Sequence, residues 1–255
     1  MELWQALVLG AVEGFTEFLP ISSTAHLILA ARVLRLPSSE FLKSFEVAIQ
    51  FGAILSVVLI YFRTFLRNWA ANRKVAVAFL PTALIGALLY PLIKRYLLDN
   101  AAVSLAALFL GGILLIIFER IHREKPEAHD DIPSLSYAKA AGVGFFQTLA
   151  VIPGVSRAAA TILGGLLLGM KRKTIVEFSF LLAVPTMAAA TGLDLVRSAS
   201  QFSIGDVHLL IAGFAAAFVV ARWSILFLLR YIQNHDFTAF GWYRIALAVV
   251  FWALM

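Results

Sequence analysis

Apolar residues run almost without pause along this chain, so the pauses carry most of the information. Six stretches are long and uniform enough to be spanning helices: Phe45 to Phe62, Val75 to Ile93, Ala101 to Phe118, Ile175 to Leu193, Val207 to Leu229 and Ala239 to Leu254. A helical crossing needs roughly 17–25 predominantly apolar residues. Two further stretches, Leu3 to Leu34 and Tyr137 to Met170, match that length but break in the middle. The first breaks at Pro20 among Glu17, Ser22, Ser23, Thr24 and His26; the second breaks at Pro153-Gly154. Backbone without helical hydrogen bonds is tolerated at membrane depth only where protein or a water-filled cavity covers it. The pattern therefore predicts two re-entrant hairpins, each dipping in and turning back.

The hairpins resemble one another. "PISS" (Pro20 to Ser23) and "PGVS" (Pro153 to Ser156) share a P-x-x-S spacing, each after an apolar half containing glycine and an acid or amide. Each is followed by an acidic residue beside phenylalanine, at Phe45-Glu46 and Glu177-Phe178. Matched broken segments in two halves point to a repeat-built membrane fold with its site where the breaks meet. The expected architecture is all-α and polytopic, a single membrane domain over 1–255 with repeats of about 1–120 and 135–255. Each half holds an odd number of spans, so the repeats are inverted.

Composition agrees. The chain is 61% hydrophobic and 14% charged, with a mean hydropathy of +0.88, against roughly half apolar and a quarter charged in soluble domains. The first residues lack a charged segment, short apolar core and small-residue cleavage site, so no removable leader is expected. Cysteine is absent, which excludes disulfides and thiolate chemistry. A net charge of +6 spread over loops reads as membrane anchoring rather than nucleic-acid binding. Arg63, Arg67, Arg73, Lys74, Arg120, Arg123, Lys125, Lys139, Lys171, Arg172, Lys173 and Arg230 fall on one side if the hairpins return to their side of entry. The opposite side holds about half as many, so the richer side is cytoplasmic by the positive-inside rule and both termini lie outside.

The first break carries the candidate chemistry. In "EGFTEFLPISSTAH", Glu13 and Glu17 share one helix face, Pro20 ends that half-helix, and Ser22, Ser23 or Thr24 can cap the next. Ser23 and His26 are three apart on the new half-helix. Two carboxylates, a hydroxyl and an imidazole at a helix break suit phosphoryl transfer, which needs a nucleophile, a proton carrier and groups able to hold a divalent metal. The second break, "PGVSRAAAT", adds Arg157, whose guanidinium can clamp phosphate with Ser156 beside it. "TIVE", Thr174 to Glu177, fits a capping box, and Ser44 is a candidate cap two residues before Glu46.

At these motifs, and at "FEVAIQFGAIL" and "EFSFLLAVPT" behind each hairpin, the chain resembles the undecaprenyl-pyrophosphate phosphatase family of the bacitracin-resistance type. The resemblance implies an enzyme of the bacterial cytoplasmic membrane that removes the terminal phosphate of undecaprenyl pyrophosphate, with a site open to the periplasm and dependence on Mg²⁺ or Ca²⁺. It places the family's catalytic acids on Glu13 and Glu17, which are also the expected metal ligands, its serine on Ser23, its histidine on His26 and its arginine on Arg157. Ser22, Thr24, Ser156 and Thr161 are the further substrate-binding candidates. Ala25, Ala158 and Ala159 depart from the commoner Gly and Ser-Gly of the family, which removes one possible phosphate contact at position 158. The expected partners are the polyprenyl pyrophosphate and membrane lipids, with no nucleic acid; a homo-oligomer is left open. Two attacks on phosphorus fit equally: Ser23 with His26 as base, or His26 itself.

Two other classes compete. An acid-phosphatase-like lipid phosphatase requires a His and an Asp after its Ser-Arg, whereas "AAATILGG" follows Arg157 here. A polyprenyl-phosphate transporter or flippase would share the inverted broken helices. It would need arginine and N–H donors, but not a nucleophile beside a proton carrier.

Overall fold

Serine side chains start several of the helices. The computed structural model describes residues 1–96, 101–124, 128–129, 131–198 and 204–253, and among them it is helical with no strand. The helices are α1 (Leu3–Thr16), α2 (Ser23–Val33), α3 (Glu40–Ile60), α4 (Phe62–Arg67), α5 (Trp69–Tyr96), α6 (Ala101–Ile121), α7 (Tyr137–Gln147), α8 (Arg157–Leu167), α9 (Arg172–Ser198), α10 (Val207–Tyr231) and α11 (Thr238–Ala253). Ser39, Ser136 and Ser156 cap α3, α7 and α8, accepting from the N–H groups of Leu42, Lys139 and Ala159. Such caps satisfy N–H groups that have no partner inside the helix.

Two cap assignments made from sequence are corrected. Helix α3 begins at Glu40, so Ser44 lies inside it. Helix α9 begins at Arg172, so Thr174 lies inside its first turn and "TIVE" does not open the helix. The periodic apolar signal placed both starts late because it ignores the charged first turn.

Among the described residues, five helices are long and apolar enough to cross a membrane: Glu40–Ile60, Trp69–Leu89 within α5, Ala102–Ile121, Arg172–Gly192 and Val207–Tyr231. The chain is thus a multi-pass membrane protein. The large apolar side chains on its outside agree, with Leu84, Leu88, Trp223 and Trp252 each more than two-thirds exposed; soluble monomers rarely present such surfaces. The stretch expected as a sixth span falls on α11, described over 16 residues, about 24 Å at 1.5 Å per residue, and is not among those five. Leu254 at its end, and Lys125 of the central loop, lie outside the described residues.

Helix α1 of 14 residues and helices α7 and α8 of 11 each are shorter still. Helix α1 packs on α10, α10 on α3, α3 on α9, α5 on α7 and α9, and α6 on α11. The α1–α10 seam is backbone on backbone. A Cβ on Gly10 would stand 2.2 Å from the Gly213 carbonyl oxygen, the small-residue contact by which helices associate in lipid. Ser224 of α10 donates to the Phe15 carbonyl on the same seam at 2.7 Å. At the opposite end, Arg172 forms a two-pronged ion pair with Glu119, which also accepts from the Phe237 N–H at 3.0 Å.

One group of buried polar side chains stands out. Glu13, Glu17, Ser22, Ser23, His26, Ser156, Thr161, Ser179 and Arg244 are all under one-tenth exposed. They collect around the two breaks.

A candidate active site where the breaks meet

Helix α1 ends at Thr16 with Glu17 as its last helical-type residue, and α2 restarts at Ser23. Between them Pro20 cannot donate to the preceding turn, and Ser22 takes φ of 71°, a left-handed geometry that costs a non-glycine residue of order 1 kcal/mol or more. In the second hairpin, α7 tightens into a 3₁₀ turn (Thr148–Val151) before Pro153. Gly154 then turns at φ 89° with its missing Cβ 2.2 Å from the Ser104 carbonyl oxygen, so only glycine fits there. Ser156 spans the breaks, capping α8 while its hydroxyl lies 3.4 Å from the Leu19 carbonyl.

Glu17 is the junction of the two hairpins. Its Oε1 accepts from Arg157 Nη2 at 2.9 Å, and its Oε2 accepts from the Ser23 hydroxyl at 2.6 Å. Arg157 also donates from Nη1 to the Ser179 carbonyl (2.9 Å) and hydroxyl (3.1 Å). Thr161 meets that same hydroxyl at 2.6 Å. The guanidinium also lies 5.8 Å from the Phe18 ring centroid, within cation–π range. Both side chains of the ion pair are about one-tenth exposed. Arg157 is therefore drawn inward and does not snorkel to the interface.

His26 is held apart from this pair. Its Nδ1 lies 2.7 Å from the Ser22 carbonyl and its Nε2 lies 2.8 Å from the Tyr243 hydroxyl. The structure brings Glu17, not His26, to the Ser23 hydroxyl. Of the other candidates, Ser22 is buried and engaged through its carbonyl, whereas Thr24 is exposed and makes none of these contacts.

Glu13 is wholly buried, and neither of its carboxylate oxygens has a hydrogen-bond partner among the described residues. It sits within electrostatic reach of Glu17, Glu46 and Arg157. A bare carboxylate at this depth is expensive unless a cation or a proton neutralises it. Glu13 thus fits a divalent cation. Among the described residues no three His, Asp or Glu side chains converge as a ligand set. Mg²⁺ is commonly held by one or two carboxylates, with water and substrate phosphate completing its shell.

Sequence reasoning missed Ser179, Tyr243 and Arg244 as members of this site. Arg244 is 1% exposed and donates to the carbonyls of Pro20, Gly154, Leu108 and Ala107 at 3.1–3.2 Å. It clasps both breaks against α6. Its signal was available: an arginine inside an apolar span is a functional candidate by default. Glu177 stands elsewhere, lining a cavity of about 220 Å³ with Tyr61, Asp131 and Lys173.

The family model described as "Bacitracin resistance protein BacA" matches residues 6–250 of this chain. Among curated proteins, one from Aquifex aeolicus named undecaprenyl-diphosphatase is 47% identical over 251 residues, 98% of each chain. One of the same name from Thermus thermophilus is 49% identical over 251 residues, covering 97% of this chain and 95% of that protein. A third, from Bdellovibrio bacteriovorus, is 44% identical over 255 residues.

Proposed function

The chain belongs to the bacitracin resistance protein BacA family, and from that premise we propose that it is a membrane phosphatase converting undecaprenyl pyrophosphate to undecaprenyl phosphate and inorganic phosphate. The reaction recycles the lipid carrier of cell-wall synthesis and underlies bacitracin resistance. The observation that carries the chemistry is the shared carboxylate: Glu17 holds a hydroxyl from one hairpin and a guanidinium from the other. A headgroup-binding transporter needs the arginine but has no use for a hydroxyl aimed at a buried carboxylate.

The residues divide the work as follows. Arg157 takes the pyrophosphate, exchanging its Glu17 contact for phosphate oxygens. Glu17, relieved of one donor, accepts the Ser23 proton as Oγ bonds to the terminal phosphorus. The P–O bond to the bridging oxygen breaks, and the lipid leaves as the monophosphate. Water then displaces the serine oxygen from phosphorus, releasing phosphate and returning the proton to Ser23, with His26 the second proton carrier of the site. Glu13, with Glu17, would hold a divalent cation, which when bound supplies charge neutralisation for the phosphate oxygens.

The experiment is phosphate release from a polyprenyl pyrophosphate by the detergent-purified protein, with and without EDTA. We expect release that stops with EDTA and returns with Mg²⁺ or Ca²⁺. A folded protein that binds the lipid and releases nothing under any of these conditions would favour the transporter.

The finer architecture belongs to the same proposal: six spans and two re-entrant hairpins in an inverted repeat. Its support is the exchange of partners between halves. Helix α1 packs on α10 as α7 packs on α5, their counterparts if α1–α6 and α7–α11 correspond. The halves of the hairpins are also too short to cross. The protein then sits in the bacterial inner membrane with the Glu17 site facing the periplasm, a placement supported by the loop charges. Because the chain has no cysteine, single substitutions test it cleanly. Ser38→Cys should react with an impermeant maleimide in intact spheroplasts, and Ser134→Cys only after lysis; both positions are exposed. The reverse pattern would invert the topology.

A further inference from the structure

The two ring nitrogens of His26 have different partners, and their chemistry assigns the proton. A carbonyl oxygen only accepts, so the nitrogen facing the Ser22 carbonyl at 2.7 Å, Nδ1, carries the hydrogen. In the neutral ring Nε2 is then a bare lone pair, and the Tyr243 hydroxyl 2.8 Å away is its donor. The two rings are nearly parallel, 7° apart. Tyr243 is 44% exposed while His26 is 8% exposed, so the phenol stands between the only available nitrogen and the outside. The charged neighbour on the same helix is Arg244, within electrostatic reach of His26 and tied to the carbonyls of both breaks. Helix α11 thus meets the first hairpin with two adjacent residues, one fixing its backbone and the other its imidazole.

We propose that Tyr243 is a positioning residue for the phosphatase reaction, holding Nε2 of His26 in the orientation and tautomer in which it exchanges protons with water at the phosphoryl group. This rests on the phosphatase reading above. With Nε2 engaged by a donor, His26 acts as a proton carrier, and attack on phosphorus falls to Ser23. The phenol hydroxyl yields Nε2 when the water arrives and recaptures it afterwards.

Tyr243→Phe removes the hydroxyl and keeps the ring, so the packing against α2 persists. Two readouts are taken on the purified protein. In the first, kcat for phosphate release should fall by about 10–100-fold with KM within about twofold, the pattern of a misplaced reactive group. In the second, acylation of His26 by diethyl pyrocarbonate, followed by peptide mass spectrometry, should quicken about fivefold, the factor for one lost hydrogen bond. His122, His129, His208 and His235 should react as in the wild type. A Tyr243→Phe protein with wild-type kcat overturns the proposal, as does one whose His26 reactivity is unchanged. If the wild type itself releases no phosphate, the phosphatase reading fails; the positioning role in that reaction fails with it, and His26 reactivity still reports whether the Tyr243 contact exists.

Discussion

Phosphate release should fall by about 10³-fold or more in Arg157→Ala, the scale of an arginine that stabilises charge in phosphoryl transfer. Glu17→Ala should match it, because the same carboxylate holds the Ser23 hydroxyl and the guanidinium. The two variants will also be less stable. Removing one partner of a buried pair leaves the other charge uncompensated, at a cost of about 3–5 kcal/mol. Here the side-chain hydrogen bonds left to Arg157 would be those to the Ser179 oxygens. The double variant, Glu17→Ala with Arg157→Ala, separates the two effects. It removes both charges, so its melting temperature should recover most of the loss of either single variant. Its activity should remain at the level of the singles. Thermal melting in detergent beside a phosphate-release assay checks both halves. A double variant that regains activity, or an Arg157→Ala protein within tenfold of wild type, would remove this pair from the chemistry. Arg157→Lys should not rescue, since a lysine tip cannot reach Ser179 and phosphate together in the planar geometry of a guanidinium.

The second large effect is on the fold itself. Arg244→Leu leaves the carbonyls of Pro20 and Gly154 without the donor that reaches both. These two lie outside helices, whereas Ala107 and Leu108 sit within α6 and keep helical partners. Each unsatisfied buried carbonyl costs about 1–3 kcal/mol, so the loss is about 2–6 kcal/mol, set against the ~5–15 kcal/mol that keeps a typical domain folded. Leucine also cannot fill the space cleared by Gly111, where a Cβ would stand 2.1 Å from Arg244 Nη2. We expect Arg244→Leu to melt well below the wild type, on the scale of the Glu17 and Arg157 single variants, and to lose phosphatase activity as the breaks drift apart. Melting at the wild-type temperature would show that the hairpins hold each other without the clasp.

Much of the first hairpin was readable because its parts are neighbours along the chain. Glu13, Glu17, Ser23 and His26 each lie within one or two turns of the next along the chain, and Pro20 announces the break. Local rules of helix periodicity and proline geometry act over that range. Arg157 was readable for a similar reason, standing just after a serine cap in an apolar hairpin. What local rules did not supply was who touches whom. The pairing of Ser23 with Glu17 rather than with His26 depends on the left-handed turn at Ser22, which directs the backbone between them. Ser179 sits in a plain apolar helix and enters the site only because α9 packs on α8.

The sequence by itself determined the membrane class, the apolar segments, the two breaks and the residue types gathered at them, because lipid forbids unsatisfied backbone and makes every buried charge conspicuous. The tertiary structure decided the partnership of Glu17, the hold on His26 and the clasp of Arg244, whose contact with Pro20 joins residues 224 positions apart. Contacts at that separation follow from how helices pack across the whole bundle, and no local pattern of residues encodes them.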